Sequence, residues 1–115
     1  MNLPGHLTLA ALLALGFALP AMPAAAAELP VVHLTIKAGR FIPDTLVVPA
    51  NTRFKLQIRN EGPGPEEFES ASLRKEKVLA EGAQSFLVFQ PLKPGTYTFF
   101  GEFHPQTAQG RMIAR

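Results

Sequence analysis

Apolar residues recur at every second position in several short runs of this chain, and that period predicts strands. From Val31 to Ile36, Val32, Leu34 and Ile36 share one face while Val31, His33 and Thr35 share the other. That alternation marks a half-buried strand. The stretch from Arg53 to Asn60 repeats it, with Phe54, Leu56 and Ile58 turned inward. Shorter runs bounded by turn residues read as strands at Thr45 to Val48, Glu66 to Ser70, Gln84 to Phe89, Tyr97 to Phe103 and Gly110 to Ala114. Glycine, proline and asparagine separate them, most densely in Glu61-Gly62-Pro63-Gly64-Pro65, where turns are the only reading. After residue 27 no run carries a ten-residue helical stripe; the charged segment Ser72 to Lys77 leaves room for one helical turn. The spacing L-x-P-G-x-Y, from Leu92 to Tyr97, predicts a tyrosine corner of the kind found in Greek-key sandwiches. The pattern predicts an all-β Greek-key sandwich of about seven or eight strands. Its core would take Tyr97, Phe99, Phe100 and Phe103.

The first 27 residues break this pattern. An apolar run from Leu7 to Leu19 ends in Ala24 to Ala27, which predicts a secretory signal peptide over 1–27 and cleavage after Ala27. The run is too short for a spanning helix and is broken by Pro20 and Pro23. Its leading segment carries no Lys or Arg, an off-pattern feature that leaves an uncleaved anchor as the alternative. The folded domain is then 28–115. All charged side chains lie in that part, with a formal charge of +2. The excess is scattered, with Arg74-Lys75 and Lys77 as its only cluster; a nucleic-acid partner would require a denser stripe.

The chain has no cysteine, which excludes disulfide staples, thiolate ligands, Fe–S clusters and a cysteine nucleophile. Ser70, Ser72 and Ser85 sit in no nucleophile-elbow context, and a domain of this size offers no cleft for a paired-carboxylate glycosidase. What remains is a set of carboxylates and one imidazole, able to bind a metal ion or to serve as a recognition patch. Candidate ligands are Glu67 and Glu69 on one strand, and Glu102 and His104 at the end of another. Glu66 shares its parity with Phe68 and points to the interior, so either Glu66 or the Glu67/Glu69 pair supplies the carboxylate. Such a set suits Fe(II), Fe(III), Mn(II), Cu(II) or Zn(II), and does not suit Cu(I). Pro105 restricts His104 to extended backbone angles. His33, on an outward strand face, reads as solvated.

Beyond these arguments, a set of motifs occurs in order: Phe41-x-Pro43, Val48-Pro49-Ala50, Asn60, E-F-E-S from Glu67 to Ser70, Glu76-Lys77-Val78, the P-G-x-Y turn, and G-E-F-H-x-x-T-A-Q-G from Gly101 to Gly110. With them the chain resembles the cupredoxin-like periplasmic proteins of bacterial ferrous iron uptake systems of the Efe and Ftr kind. The resemblance implies a periplasmic domain that binds a copper or iron ion. It also implies a periplasmic metal-binding partner protein and an inner-membrane iron permease. A ferroxidase-like role, oxidising Fe(II) before transport, belongs to the same implication. The departures from blue-copper proteins are equally specific. Gly101 stands where their cysteine would, roughly Gln109 where their methionine would, and Glu66 or Glu67 where their first histidine would. Met112 falls past the loop. Type 1 copper chemistry is thereby excluded. Two other readings use the same scaffold: a non-metallated interaction module, and a copper-buffering protein without redox duty.

Overall fold

The computed structural model describes residues 1–5, 14–20 and 28–115. Most of the signal-peptide reading, including the cleavage point, lies outside the described residues. Among the described residues no helix is long and apolar enough to cross a membrane.

Among the described residues, nine strands form two sheets: β1 Val31–Lys37, β2 Arg40–Ile42, β3 Thr45–Val48, β4 Phe54–Asn60, β5 Glu66–Ser70, β6 Lys75–Leu79, β7 Gln84–Phe89, β8 Gly95–Phe100 and β9 Gln109–Ala114. One sheet has the order β2-β1-β4-β7 and the other β3-β9-β8-β5-β6. The pairs β1–β4 and β3–β9 are parallel, so the chain crosses between sheets rather than meandering within one.

The alternation seen in sequence is the alternation of burial. Leu34 and Ile36 on β1, and Phe54, Leu56 and Ile58 on β4, face the second sheet and are buried. They meet Leu46, Val48, Phe68, Phe99 and Met112 from that sheet. The aromatics interlock: Phe41 stands edge-on to Phe99 at 4.9 Å between ring centroids, and Phe54 stacks on Phe89 at 4.9 Å. Such pairs add to simple area burial. The tyrosine corner is present, with Tyr97 Oη donating to the Lys93 carbonyl at 2.7 Å. Asn60, fully buried, donates through Nδ2 to Gly64 and Leu79 carbonyls and accepts from the Gly62 N–H. It fixes the Gly-Pro loop from which β5 departs.

Two expectations are corrected. Lys75–Leu79 is a strand, and Ala71 to Arg74 is a tight turn rather than a helical one, with Arg74 at φ 52°. Its charged sequence hid it because β6 is an edge strand, and edges tolerate lysine and glutamate. β8 ends at Phe100, not Phe103. Phe103 accordingly leaves the sheet and is 47% exposed, while Phe99 stays in the core.

Candidate metal centre

β5 is where the acidic residues are sorted. Its side chains alternate across the sheet, yet four of its five residues are buried. Phe68 enters the core, and Glu66, two residues earlier, points to the same side with 0% exposure. Neither Glu66 carboxylate oxygen has a hydrogen-bond partner among the described residues. His104 Nδ1 lies 2.8 Å from Glu66 Oε1, but the approach is not aligned as a hydrogen bond. A carboxylate enclosed in this way is costly unless a counter-charge or a metal completes it. The imidazole is 48% exposed, and a surface groove lined by Phe103, His104, Pro105, Gln106 and Thr107 opens beside it.

The loop after β8 holds His104 there. Gly101 N–H donates to the Ala108 carbonyl at 2.9 Å, closing the loop at its base, and the Thr107 and Ala108 N–H groups donate to the His104 carbonyl. Thr107 Oγ1 reaches across to the Gly39 carbonyl at 2.6 Å, tying the loop to the turn between β1 and β2. Gly39 adopts φ +68°, and a Cβ there would stand 2.8 Å from His104 Cγ. The turn is glycine because the imidazole packs against its bare Cα.

The other carboxylates face the opposite way. One oxygen each from Glu67, Glu69 and Glu76 lies within 4.8 Å of the others. Glu69 and Glu76 are register partners across β5 and β6. Glu67 is 3% exposed, and its Oε1 has no hydrogen-bond partner among the described residues. Burial raises its carboxyl from 4.5 to about 7, helped by contact with Glu69 and by the negative charges of Glu69, Glu102 and Glu76.

The five residues singled out from sequence therefore divide. Glu66 meets His104, whereas Glu67 and Glu69 meet Glu76. Glu102 is exposed in the turn after β8, near enough to act on Glu67 by charge. Parity predicted that Glu66 and Glu67 point apart; it did not predict that only Glu66 would reach the imidazole. Sequence reasoning missed Glu76, Gly39 and Thr107. Reading E-F-E-S-A-S-L-R-K-E as a hairpin would have placed Glu76 opposite Glu69.

The cupredoxin-like domain family matches residues 8–114. This chain belongs to that family. A Rickettsia prowazekii (strain Madrid E) protein, itself uncharacterized, is 43% identical over 82 residues, which cover 71% of this chain and 66% of that protein. The sandwich is also similar to auracyanin A, a blue copper protein of Chloroflexus aurantiacus (TM-score 0.60, 14% identity, covering 74% of this chain and 98% of that one). It is similar again to the metal-binding domain, solved with Cu(I), of the Cu(I)-exporting P-type ATPase CopA of Streptococcus pneumoniae D39 (TM-score 0.61, 11% identity, 74% and 84% covered). At these identities the likeness is one of fold.

The cupredoxin-like chain described here departs from blue-copper chemistry at its donors. It has no thiolate to offer. At Gly101, a Cβ would stand 2.6 Å from the Glu67 carbonyl oxygen and 3.1 Å from the Ala108 Cβ, so the backbone has closed over the place of a cysteine. A buried carboxylate without hydrogen bonds, facing an imidazole nitrogen, does fit a cation that prefers oxygen and nitrogen.

Proposed function

We propose that this cupredoxin-like protein is exported to the periplasm and binds a copper or iron ion through Glu66 and His104. It would serve ferrous iron uptake beside a periplasmic metal-binding partner protein and an inner-membrane iron permease. The observation that carries the metal reading is the Glu66 carboxylate, fully buried, with neither oxygen hydrogen-bonded and His104 Nδ1 in ion-pair contact with Oε1 at 2.8 Å. Glu66 supplies anionic oxygen, and His104 a neutral nitrogen presented at the solvent edge. Two donors leave positions open for water or for a group from a partner, which suits an ion that is to be passed on. The motifs from Gly101 to Gly110, together with the apolar leader, support the iron-uptake context and the location.

Oxygen donors favour the higher oxidation state of iron. If the site acts on iron as substrate, each Fe(II) gives one electron to an external acceptor such as dioxygen and leaves as Fe(III). The test has two parts. Titration with Cu(II) and Fe(II) should show one equivalent bound in the parent and lost in both Glu66→Gln and His104→Ala. Aerobic Fe(II) oxidation should run faster with the protein than without, and equal rates dismiss the oxidase role while leaving binding to be judged by the titration.

The same 2.8 Å contact favours one other reading. A protonated His104 would neutralise Glu66 without metal, leaving a sandwich that acts as an interaction module. Absence of metal binding in the parent selects that reading.

A further inference from the structure

The outer face of the β2-β1-β4-β7 sheet takes no part in the Glu66–His104 site, and its side chains are sorted by charge. The outward positions of these four strands carry no carboxylate. They carry Lys37, Arg40, Lys55, Arg59 and His33, while Glu67, Glu69 and Glu76 gather on the other sheet. The sandwich is therefore electrically two-sided, although its formal charge is only +2. Glu61, past the end of β4, stands 4.0 Å from Arg59 Nε with both side chains partly in water. A pair that loose does little to neutralise the guanidinium.

Strand register builds a groove into the middle of this face. Thr35, Arg59 and Gln84 stand abreast on β1, β4 and β7, and His33, Gln57 and Phe86 form the next row. The groove is lined by His33, Thr35, Gln57, Arg59 and Gln84. A guanidinium, two amides, a hydroxyl and an imidazole can all donate hydrogen bonds. A phosphate group is the acceptor that such a set suits, since the arginine fork matches two of its oxygens at once.

Apolar side chains share the face. Phe86 is 52% exposed beside the groove, with the Lys55 ammonium 4.1 Å from its ring centroid. Ile42 and Val31 are about half exposed at the margins. Four strands make a surface about 15 Å across, and the cations are spread over it rather than gathered at one spot. That suits a continuous anionic surface better than a single acidic side-chain cluster. Cations can then reach phosphates while the ring enters the headgroup layer.

We propose that this face is a docking surface for anionic phospholipid. A headgroup phosphate sits among His33, Gln57, Arg59 and Gln84, and Phe86 dips in beside it. Of the surfaces that present phosphate, the exported location proposed above leaves the bilayer. Docking in this way turns the acidic side of the sandwich toward solution. It holds whether or not Glu66 and His104 carry a metal.

The probe is sucrose-loaded vesicles of phosphatidylcholine, alone or with one third phosphatidylglycerol, sedimented with protein purified after export. The parent is expected to sediment with the anionic vesicles at low salt, to be released as salt rises, and to stay in solution with phosphatidylcholine alone. Each cation near such a surface contributes about fivefold to partitioning, so Lys55→Gln/Arg59→Gln should weaken binding about thirtyfold. Both side chains lie on the solvent side of the sheet, so this variant should melt with the parent, which separates loss of the surface from loss of the fold. Phe86→Ser should weaken binding as well. Equal sedimentation with both kinds of vesicle, or unchanged binding in the Lys55/Arg59 double variant, overturns the proposal; insertion through the apolar leader alone would give that result. Inorganic phosphate that shifts the His33 and Arg59 side-chain NMR signals, with no vesicle binding, marks a free-anion site and overturns the bilayer as occupant. Binding of poly-glutamate but not of vesicles overturns it in favour of an acidic protein surface. Vesicle binding does not depend on where the protein works, and Cu(II) titration of the same proteins reports separately on the Glu66–His104 pair.

Discussion

Glu66 and Glu67 are consecutive residues of one strand, both buried, and they open onto opposite sides of the same sheet. One meets an imidazole at 2.8 Å, and the other meets two more carboxyls within 4.8 Å. A single β5 thus presents two chemically different groups of donors, mixed nitrogen and oxygen on the core side and oxygen alone on the outer side. The pleat of the strand keeps them from merging.

Removing the Glu66 carboxylate should stabilise the metal-free fold. Its oxygens are buried without hydrogen bonds, and holding an ionised carboxylate out of water is costly; the imidazole left behind is 48% exposed and keeps its hydration. Glu66→Leu is expected to raise the melting temperature in chelator by several degrees while abolishing Cu(II) binding. Thermal unfolding by circular dichroism checks this, and a lower melting temperature would show that the contact with His104 is a net stabiliser.

Gly39 is expected to be the residue on which the position of His104 depends. Alanine there meets two penalties, a left-handed backbone at φ +68° and a Cβ 2.8 Å from His104 Cγ. The backbone term alone costs about 1 kcal/mol. Gly39→Ala should therefore lower stability modestly and weaken Cu(II) binding more than tenfold, because the imidazole must swing away from Glu66. Thr107→Val, which removes the hydroxyl bonded to the Gly39 carbonyl, should act in the same direction with a smaller effect. Metal titration beside denaturant unfolding separates the two contributions.

Much of the scaffold was legible because it rests on period. β1 and β4 announce themselves by alternation, and the tyrosine corner by L-x-P-G-x-Y. β6 was not legible, since Lys75-Glu76-Lys77 has the composition of a solvated turn, and only its pairing with β5 makes it a strand. The candidate site was half legible. Parity on β5 separates Glu66 from Glu67, but choosing which one reaches His104 requires knowing that β8 stops at Phe100 and that the loop folds back onto Gly39. Those are contacts between segments more than sixty residues apart, as the bond from Thr107 to Gly39 shows, and no local pattern encodes them.

Restoring the sulfur ligand should fail. The Gly101 Cα is pressed against β5, and any Cβ would stand 2.6 Å from the Glu67 carbonyl oxygen. Gly101→Cys is expected to destabilise the fold by a few kcal/mol through overpacking. It should not produce the intense visible absorption of a copper–thiolate bond when Cu(II) is added. Strong absorption near that of blue-copper proteins would mean that β5 and the loop separate more easily than their packing implies.

Stability in chelator should fall as pH rises through the weakly acidic range, and Glu67 should be responsible. Its carboxyl is raised from 4.5 to about 7 in the folded protein, chiefly by burial and then by Glu69. Below pH ~4.5 both folded and unfolded chains carry the proton, so there is no penalty. Between ~4.5 and ~7 the unfolded chain releases it while the folded chain keeps it, and unfolding gains free energy with each step in pH. Above ~7 both states are ionised and the difference levels off, at roughly 3 kcal/mol from this group. Glu67→Gln does not titrate. Its stability relative to the parent should therefore climb across that window and be flat on either side, as read by urea unfolding at pH 4, 5.5, 7 and 8. A parallel pair of curves would place the pH dependence elsewhere in the acidic cluster.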